Sequence, residues 1–172
     1  ASHAGNAHAA GRNAIWAMAR FIDAAQALTD YERGNTVNVG LASGGTSSNT
    51  VPATATCSVD LRFEHSAAAT ALLASLRAAA EQAAASLDVT VAISGGVNRP
   101  PLERTPASEA LYREYAAHAQ AAGLGSEECP LVGGGRDANT IAGVGVPAID
   151  GLGPRGAGFH TTAEWVDLTS FR

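Results

Sequence analysis

The sequence predicts an α+β first half, an antiparallel sheet with two helices on one face, followed by a second half in which strands and helices alternate. Three observations carry this. Residues 36–41 and 54–63 alternate apolar and polar side chains, and the breaker-rich stretch 44–52 between them makes an antiparallel hairpin with a long connection. Apolar residues at helical spacing flank that hairpin on both sides. Beyond residue 101 short apolar runs alternate with helical ones, the signature of a parallel or mixed sheet.

Taken in order, residues 13–28 put Ile15, Met18, Ile22 and Ala25 on one stripe, widened by Phe21 and Leu28, with Gly11 and Asn13 opening the helix. Val37, Val39 and Leu41 share one face of the first strand. In the second, Ala55, Cys57, Val59, Leu61 and Phe63 share one face, and Thr54, Thr56, Ser58, Asp60 and Arg62 the other. A helix over 67–87 follows, with Leu72, Leu76, Ala79, Ala83 and Leu87 on its stripe and Ser66 as candidate cap. Residues 89–93 alternate again and close the unit. Helix, strand, strand, helix, strand is a split βαβ sandwich short of its opening strand, which residues before Ala1 would supply.

The domain boundary is expected at 95–101, giving 1–97 and 98–172. Past it, Thr105 followed by Pro106 opens a helix to about residue 122, with Leu111, Tyr115 and His118 in register. A strand near 129–132, a glycine turn, a short helix over 138–142 capped by Asp137, and a buried strand over 146–149 that delivers Asp150 complete the chain. About 70 residues are too few to bury the core of such a sheet, so this half either leans on the first or is completed by chain outside it.

Composition limits the function. With 172 residues, 46% of them hydrophobic, and a net charge of −5, the chain reads as soluble and globular, with neither nucleic acid nor a membrane surface as partner. A targeting peptide is expected to be either absent or already removed, and no apolar run reaches the roughly 18 residues of a membrane span. The expected location is the cytoplasm, with a periplasmic or secreted one left open. Cys57 and Cys129 fall in different halves, which argues against a disulfide framework.

The chemistry concentrates in residues 131–164. Gly133, Gly134 and Gly135 permit a turn whose backbone N–H groups face a negatively charged ligand. From these residues alone an ordinary strand-to-helix turn is favoured, and His160, in Gly158-Phe159-His160-Thr161-Thr162-Ala163-Glu164, reads as a surface-loop histidine.

The motifs taken together are more specific. Ser2-His3-Ala4-Gly5, Gly11-Arg12-Asn13-Ala14-Ile15, Asn38-Val39-Gly40 with Gly44-Gly45, Asn49-Thr50-Val51-Pro52-Ala53, Asp60-Leu61-Arg62, the run GGGRDAN and the segment around His160 follow one another in a characteristic order. That order resembles the co-catalytic zinc exopeptidase and deacylase family, whose members include carboxypeptidase G, acetylornithine deacetylase, succinyl-diaminopimelate desuccinylase and aminoacylase, and the pattern is carboxypeptidase G-like. The resemblance covers nearly the whole chain. It implies a lid and dimerisation domain over 1–97 joined to the C-terminal portion of an α/β zinc-peptidase catalytic domain, and hydrolysis of an N-acyl amino acid or small peptide with a free carboxylate. It further implies a homodimer formed through the lid's first helix and an edge strand.

The resemblance also assigns roles. His160 matches a histidine that ligates one of two zinc ions. His3 matches a lid histidine that reaches the partner subunit's active site and steadies the oxyanion formed when water attacks the amide. Asn49 matches a lid residue supplied across the dimer to the same site. Arg62 matches the arginine that binds the substrate carboxylate, for which a guanidinium fork is suited. Gly134 and Gly135 belong to the turn expected to touch substrate. On residues alone, Arg62 reads as an exposed strand residue paired with Asp60, Asn49 as turn chemistry and His3 as a frayed terminus.

Two departures bear on function. Arg136 stands where the family carries serine or threonine, which would alter substrate choice or block the pocket. The family's His-x-Asp pair, bridging aspartate and Glu-Glu pair lie upstream of the lid and are not in these residues. Asp137, Asp150 and Glu164 have no ligand role by resemblance and no metal-motif spacing. The 172-residue chain is therefore expected to be inactive alone and to hold zinc poorly. The other reading is a lid and dimerisation module without catalysis.

Overall fold

The computed structural model describes residues 1–131 and 133–171 and divides into two compact units, Ala1–Glu103 and Arg104–Arg172. It is an α+β structure with antiparallel strand pairs and four α-helices.

In the first unit, β1 (Ser2–His3) pairs antiparallel with β3 (Thr50–Val51), and β2 (Thr36–Gly44) with β4 (Ala55–Arg62). Helices α1 (Ala14–Gln26) and α2 (Ser66–Ala85) cover the apolar face of the β2–β4 pair. Ala25, Val37, Leu72 and Leu76 form the buried centre, with Phe21, Leu28, Val39, Val59, Leu61 and Phe63 packed against it. Helix α1 starts where expected: Asn13 is extended and its side chain accepts from the Trp16 N–H at 2.9 Å. Strand β4 keeps its period of two, every residue from Ala55 to Leu61 on the helix side being half-buried and those between exposed.

Leu41 does not join the core face. The β2–β4 register shifts between Val39 and Leu41, so Gly40 is an extra residue, Leu41 pairs with Ser58 on the polar face, and Leu41 is 71% exposed. Ser66 is not a cap: His65 occupies that position without a side-chain bond, and Ser66 is the first helical residue.

The expected strand over 89–93 does not form. Asp88 is left-handed, at φ 51°, and the Val89 N–H donates to the Ala84 carbonyl at 3.1 Å. The first donor of the would-be strand therefore closes α2.

The second unit opens with α3 (Pro106–Ala121), whose Thr105 Oγ1 accepts from the Ser108 N–H while the Ser108 Oγ accepts from the Thr105 N–H. Then come α4 (Asp137–Gly143) and a short pair, β5 (Gly156–Ala157) with β6 (Trp165–Val166). Asp137 lies inside α4 rather than capping it, and the side chain of Asn139 accepts from the Arg136 N–H at 2.9 Å. The strand expected over 146–149 is absent for the reason that removes 89–93: Gly145 is left-handed and the Val146 N–H returns to the Ile141 carbonyl. Of the strand expected over 129–132, residues 129–131 are irregular and exposed, and Val132 lies outside the described residues. No helix among the described residues is long and apolar enough to cross a membrane.

Candidate functional site

The residues singled out by sequence fall into three places. The first is the end of the first unit where β2 turns into β4. Here His3 lies opposite Thr50 in the β1–β3 ladder, and the Ala4 N–H donates to the Asn49 carbonyl at 2.9 Å. The fold thus brings His3 and Asn49 together and makes His3 a strand residue rather than a frayed end.

Close packing holds this arrangement. A Cβ on Gly11 would stand 2.8 Å from the Val51 side chain and closer still to Ser2 Oγ, so only glycine lets the chain pass over β1 and β3. The His3 ring is oriented locally. Its Nδ1 accepts from the backbone N–H of Gly5 at 3.0 Å and of Asn6 at 3.1 Å, which in the neutral ring leaves the hydrogen on Nε2. The Asn49 side-chain oxygen accepts from Ser47 Oγ at 2.7 Å. Beside this pair an open groove of about 500 Å³ is lined by residues including Ala4, His8, Asn13, Ile15, Ser47 and Thr50.

The second place is the far end of the β2–β4 pair. Arg62 pairs with Thr36, where β2 begins, and its guanidinium bonds Asp60 through Nε at 2.6 Å and Nη2 at 3.0 Å. Both carboxylate oxygens meet the fork, which fixes its plane on the polar face of β4. The strand from Ala55 to Arg62 spans about 23 Å at roughly 3.3 Å per residue. Helix α1 confirms the polarity: its first N–H, on Ala14, donates to Pro52 at the His3 end, and Gln26, its last residue, bonds the Val39 N–H toward the other.

The third place is in the second unit. Gly134 and Gly135 are exposed just before α4. Arg136 Nε lies 3.2 Å from Asp150 Oδ2, so the cation beside the glycine turn has a carboxylate partner. His160 occupies the loop joining β5 to β6 and is itself left-handed, at φ 65°, an uncommon conformation for a side-chain-bearing residue. The turn is fixed around it: the Thr161 N–H and Oγ1 both donate to the Gly158 carbonyl, and a Cβ on Gly158 would fall 2.7 Å from the Ala163 carbonyl oxygen.

Among the described residues no group of three or more His, Cys, Asp or Glu side chains could hold a metal ion. A catalytic zinc takes about three protein ligands and an open position. His160 can supply one, so the residues present do not by themselves fit a zinc site. Cys57 and Cys129 are both free thiols, and partial burial pushes the Cys57 thiol pKa up. Sequence reasoning passed over Glu103, which bonds Ser66 within the first unit, and Arg104, which bonds Glu109 and Glu128 within the second. Their charge alone gave no signal, because the partners of Glu103 lie far back in the chain.

Comparison with known proteins fits this arrangement. Residues 1–88 match the model of the M20 peptidase dimerisation domain. The chain is 33% identical over 174 residues to carboxypeptidase G2 of Pseudomonas sp. (strain RS-16), covering 99% of this chain and 41% of that protein. It thus spans about two-fifths of that relative's length. Among solved structures, aminopeptidase PepT from Bacillus cereus ATCC 10987 superimposes with a TM-score of 0.80 at 26% identity, over 98% of this chain and 44% of that one. The aminobenzoyl-glutamate utilization protein from Klebsiella pneumoniae gives a TM-score of 0.60 at 26% identity, over 86% and 39%. A tripeptidase from Staphylococcus aureus shares the fold, with a TM-score of 0.72 at 23% identity over 95% and 42%. The chain belongs to the M20 peptidases, and its first 88 residues are their dimerisation domain.

Proposed function

We propose that this chain is part of a zinc-dependent amidohydrolase of the carboxypeptidase and deacylase type, cleaving an N-acyl amino acid or small peptide that carries a free carboxylate. In this reading residues 1–97 are the lid and 98–172 the C-terminal portion of the catalytic domain. Water adds to the amide carbonyl, the C–N bond breaks, and the amine leaves with a proton. A zinc pair would supply Lewis acidity when bound, and His160 would be one ligand, the others coming from residues outside this chain. His3 donates from Nε2 to the carbonyl oxygen as it gains charge, Asn49 stands beside it, and Arg62 holds the substrate carboxylate.

The observation that supports this most is the division of the lid into two ends. His3 and Asn49 lie by the end where β4 begins, and Arg62 closes the other end of that strand, which is about 23 Å long. A small substrate cannot touch both ends of one lid. A homodimer meets the requirement if each site takes Arg62 from its own lid and His3 with Asn49 from the partner's. Helix α1 offers a surface for that association, since Trp16 is 51% exposed under a stacked Arg20, and β2 has a ladder partner on only one side among the described residues.

The test is turnover of an N-benzoyl amino acid with added zinc. The 172-residue chain is expected to show none, and the enzyme that includes the upstream ligands is expected to be active and dimeric. Zinc-dependent turnover by the short chain, or an active monomer, would overturn the proposal.

A further inference from the structure

Three consecutive amides at the start of the first unit return to one residue. The backbone N–H groups of Gly5 and Asn6 donate to His3 Nδ1 at 3.0 and 3.1 Å, and that of Ala7 donates to the His3 carbonyl at 3.1 Å. His3 itself is held opposite Thr50 in the β1–β3 ladder, and its neighbour Ala4 donates to the Asn49 carbonyl. The turn lies close against the ring: a Cβ on Gly5 would stand 3.4 Å from His3 Cε1 and 3.5 Å from Nδ1. Gly11 then brings the chain back over Ser2 and Val51, so the turn is pinned at both ends.

An imidazole on a strand has two freedoms that bear on donation. Its last torsion is broad and roughly two-fold, so the ring can turn over and exchange its nitrogen and carbon edges. Its hydrogen can also sit on either nitrogen. Two N–H donors at Nδ1 remove both choices. The flipped ring would set the Cδ2 hydrogen against them, and the other tautomer would set the Nδ1 hydrogen there. His3 is exposed, so the N–H that remains, on Nε2, is left to meet a group from outside this turn.

We propose that Gly5 and Asn6 are positioning residues, their two backbone amides fixing the ring orientation and tautomer of His3 so that its Nε2–H is already set as a donor before substrate arrives. This rests on the reading of His3 as the oxyanion donor. Preorganisation of this kind lowers the barrier because the donor need not reorient as charge forms on the carbonyl oxygen. The interaction strengthens in the transition state, so its loss appears in kcat and leaves KM alone.

The variant that isolates the effect is an ester in place of the Gly5–Asn6 peptide bond, which deletes the Asn6 N–H and keeps every side chain. In the complete enzyme it is expected to lower kcat for an N-benzoyl amino acid by about fivefold, the worth of one hydrogen bond, with KM changed by less than about twofold. In a His3→Ala background the same ester is expected to change the residual kcat by less than about twofold, because nothing is left for the amide to orient. A second readout needs no activity. In the 172-residue chain carrying isotope-labelled histidine, the neutral His3 ring, identified by the signal lost in His3→Ala, is expected to show the Nε2–H tautomer alone, and the ester is expected to admit a measurable fraction of the other. A mixture of tautomers in the unmodified chain, or an ester that lowers kcat equally with and without His3, would overturn the proposal. If His3→Ala lowers kcat and the ester does not, the positioning role is wrong and the function of His3 stands. If His3→Ala leaves kcat unchanged, the reading of His3 fails and takes this inference with it.

Discussion

The two units hold themselves together by different means. In the first, periodic apolar side chains from α1, α2, β2 and β4 converge on one cluster around Ala25, Val37, Leu72 and Leu76. In the second, only Ala119, Asn139 and Ala148 are buried among the described residues, while Leu131, Val144, Phe159, Trp165 and Leu168 are each more than half exposed. Polar contacts carry more of its order: Arg104 with Glu109 and Glu128, Tyr112 Oη with the Ser126 carbonyl at 2.7 Å, and Arg136 with Asp150. Exposed ion pairs contribute little each, typically under about 1 kcal/mol. The first unit is thus built as an independent body, whereas the second has its geometry set by turns and surface bonds.

The largest effect that would sharpen this contrast is in the core of the first unit. Leu72→Ala or Leu76→Ala removes a buried side chain from the central cluster and is expected to cost about 2–5 kcal/mol in urea unfolding followed by helix circular dichroism. A loss below about 1 kcal/mol would mean the cluster is not what holds α2.

A smaller effect compares the helix caps. Asn13→Ala and Thr105→Ala each remove one capping bond, worth about 1 kcal/mol. Because α1 belongs to the core, the first is expected to shift the cooperative transition. The second should appear chiefly as faster hydrogen exchange in the first turn of α3. Equal shifts of the cooperative transition by both variants would erase the contrast.

The smallest effect is on pH. Glu103 is held low by its bonds to Ser66, and Glu128 by its bond to Arg104. A carboxyl with a depressed folded-state pKa stabilises above its ordinary value and loses that contribution as pH falls through the folded-state value. Both contacts should therefore be intact at neutral pH and weaken only below about 4.5. The Ser66 amide resonance reports this directly. A titration midpoint below 4.5 is expected, and one above it would contradict the bonds to Ser66.

Which features could be read from sequence follows from the range of the interactions that set them. Strand β4 was legible because a period of two maps directly onto burial, and the same alternation placed Arg62 on the polar face with Asp60 two residues away. Leu41 was misplaced because one extra residue at Gly40 inverts every later side chain of β2, and apolar alternation carries no mark of the bulge. The segments 89–93 and 146–149 have the composition of strands. Their first donors are captured by helix closure behind the left-handed Asp88 and Gly145, a signal visible in the glycine and hidden in the aspartate. For the site, motif order suggested His3 and Asn49, but their adjacency depends on the β1–β3 ladder, which joins distant segments. The anchoring of Glu103 to Ser66 is likewise long-range and has no local signature.

The central claim is that one lid serves two active sites, Arg62 acting on its own subunit and His3 on the partner's. Mixing two inactive variants of the complete enzyme, His3→Ala and Arg62→Ala, tests it most directly. After unfolding, equal mixing and reassembly, half of the dimers carry one variant of each kind, and each of these has a single site with both residues intact. Activity should return to about a quarter of wild type. If no activity returns while mixed dimers form, both residues act on the same subunit's site, and the division of the lid into a near end and a far end has no catalytic meaning.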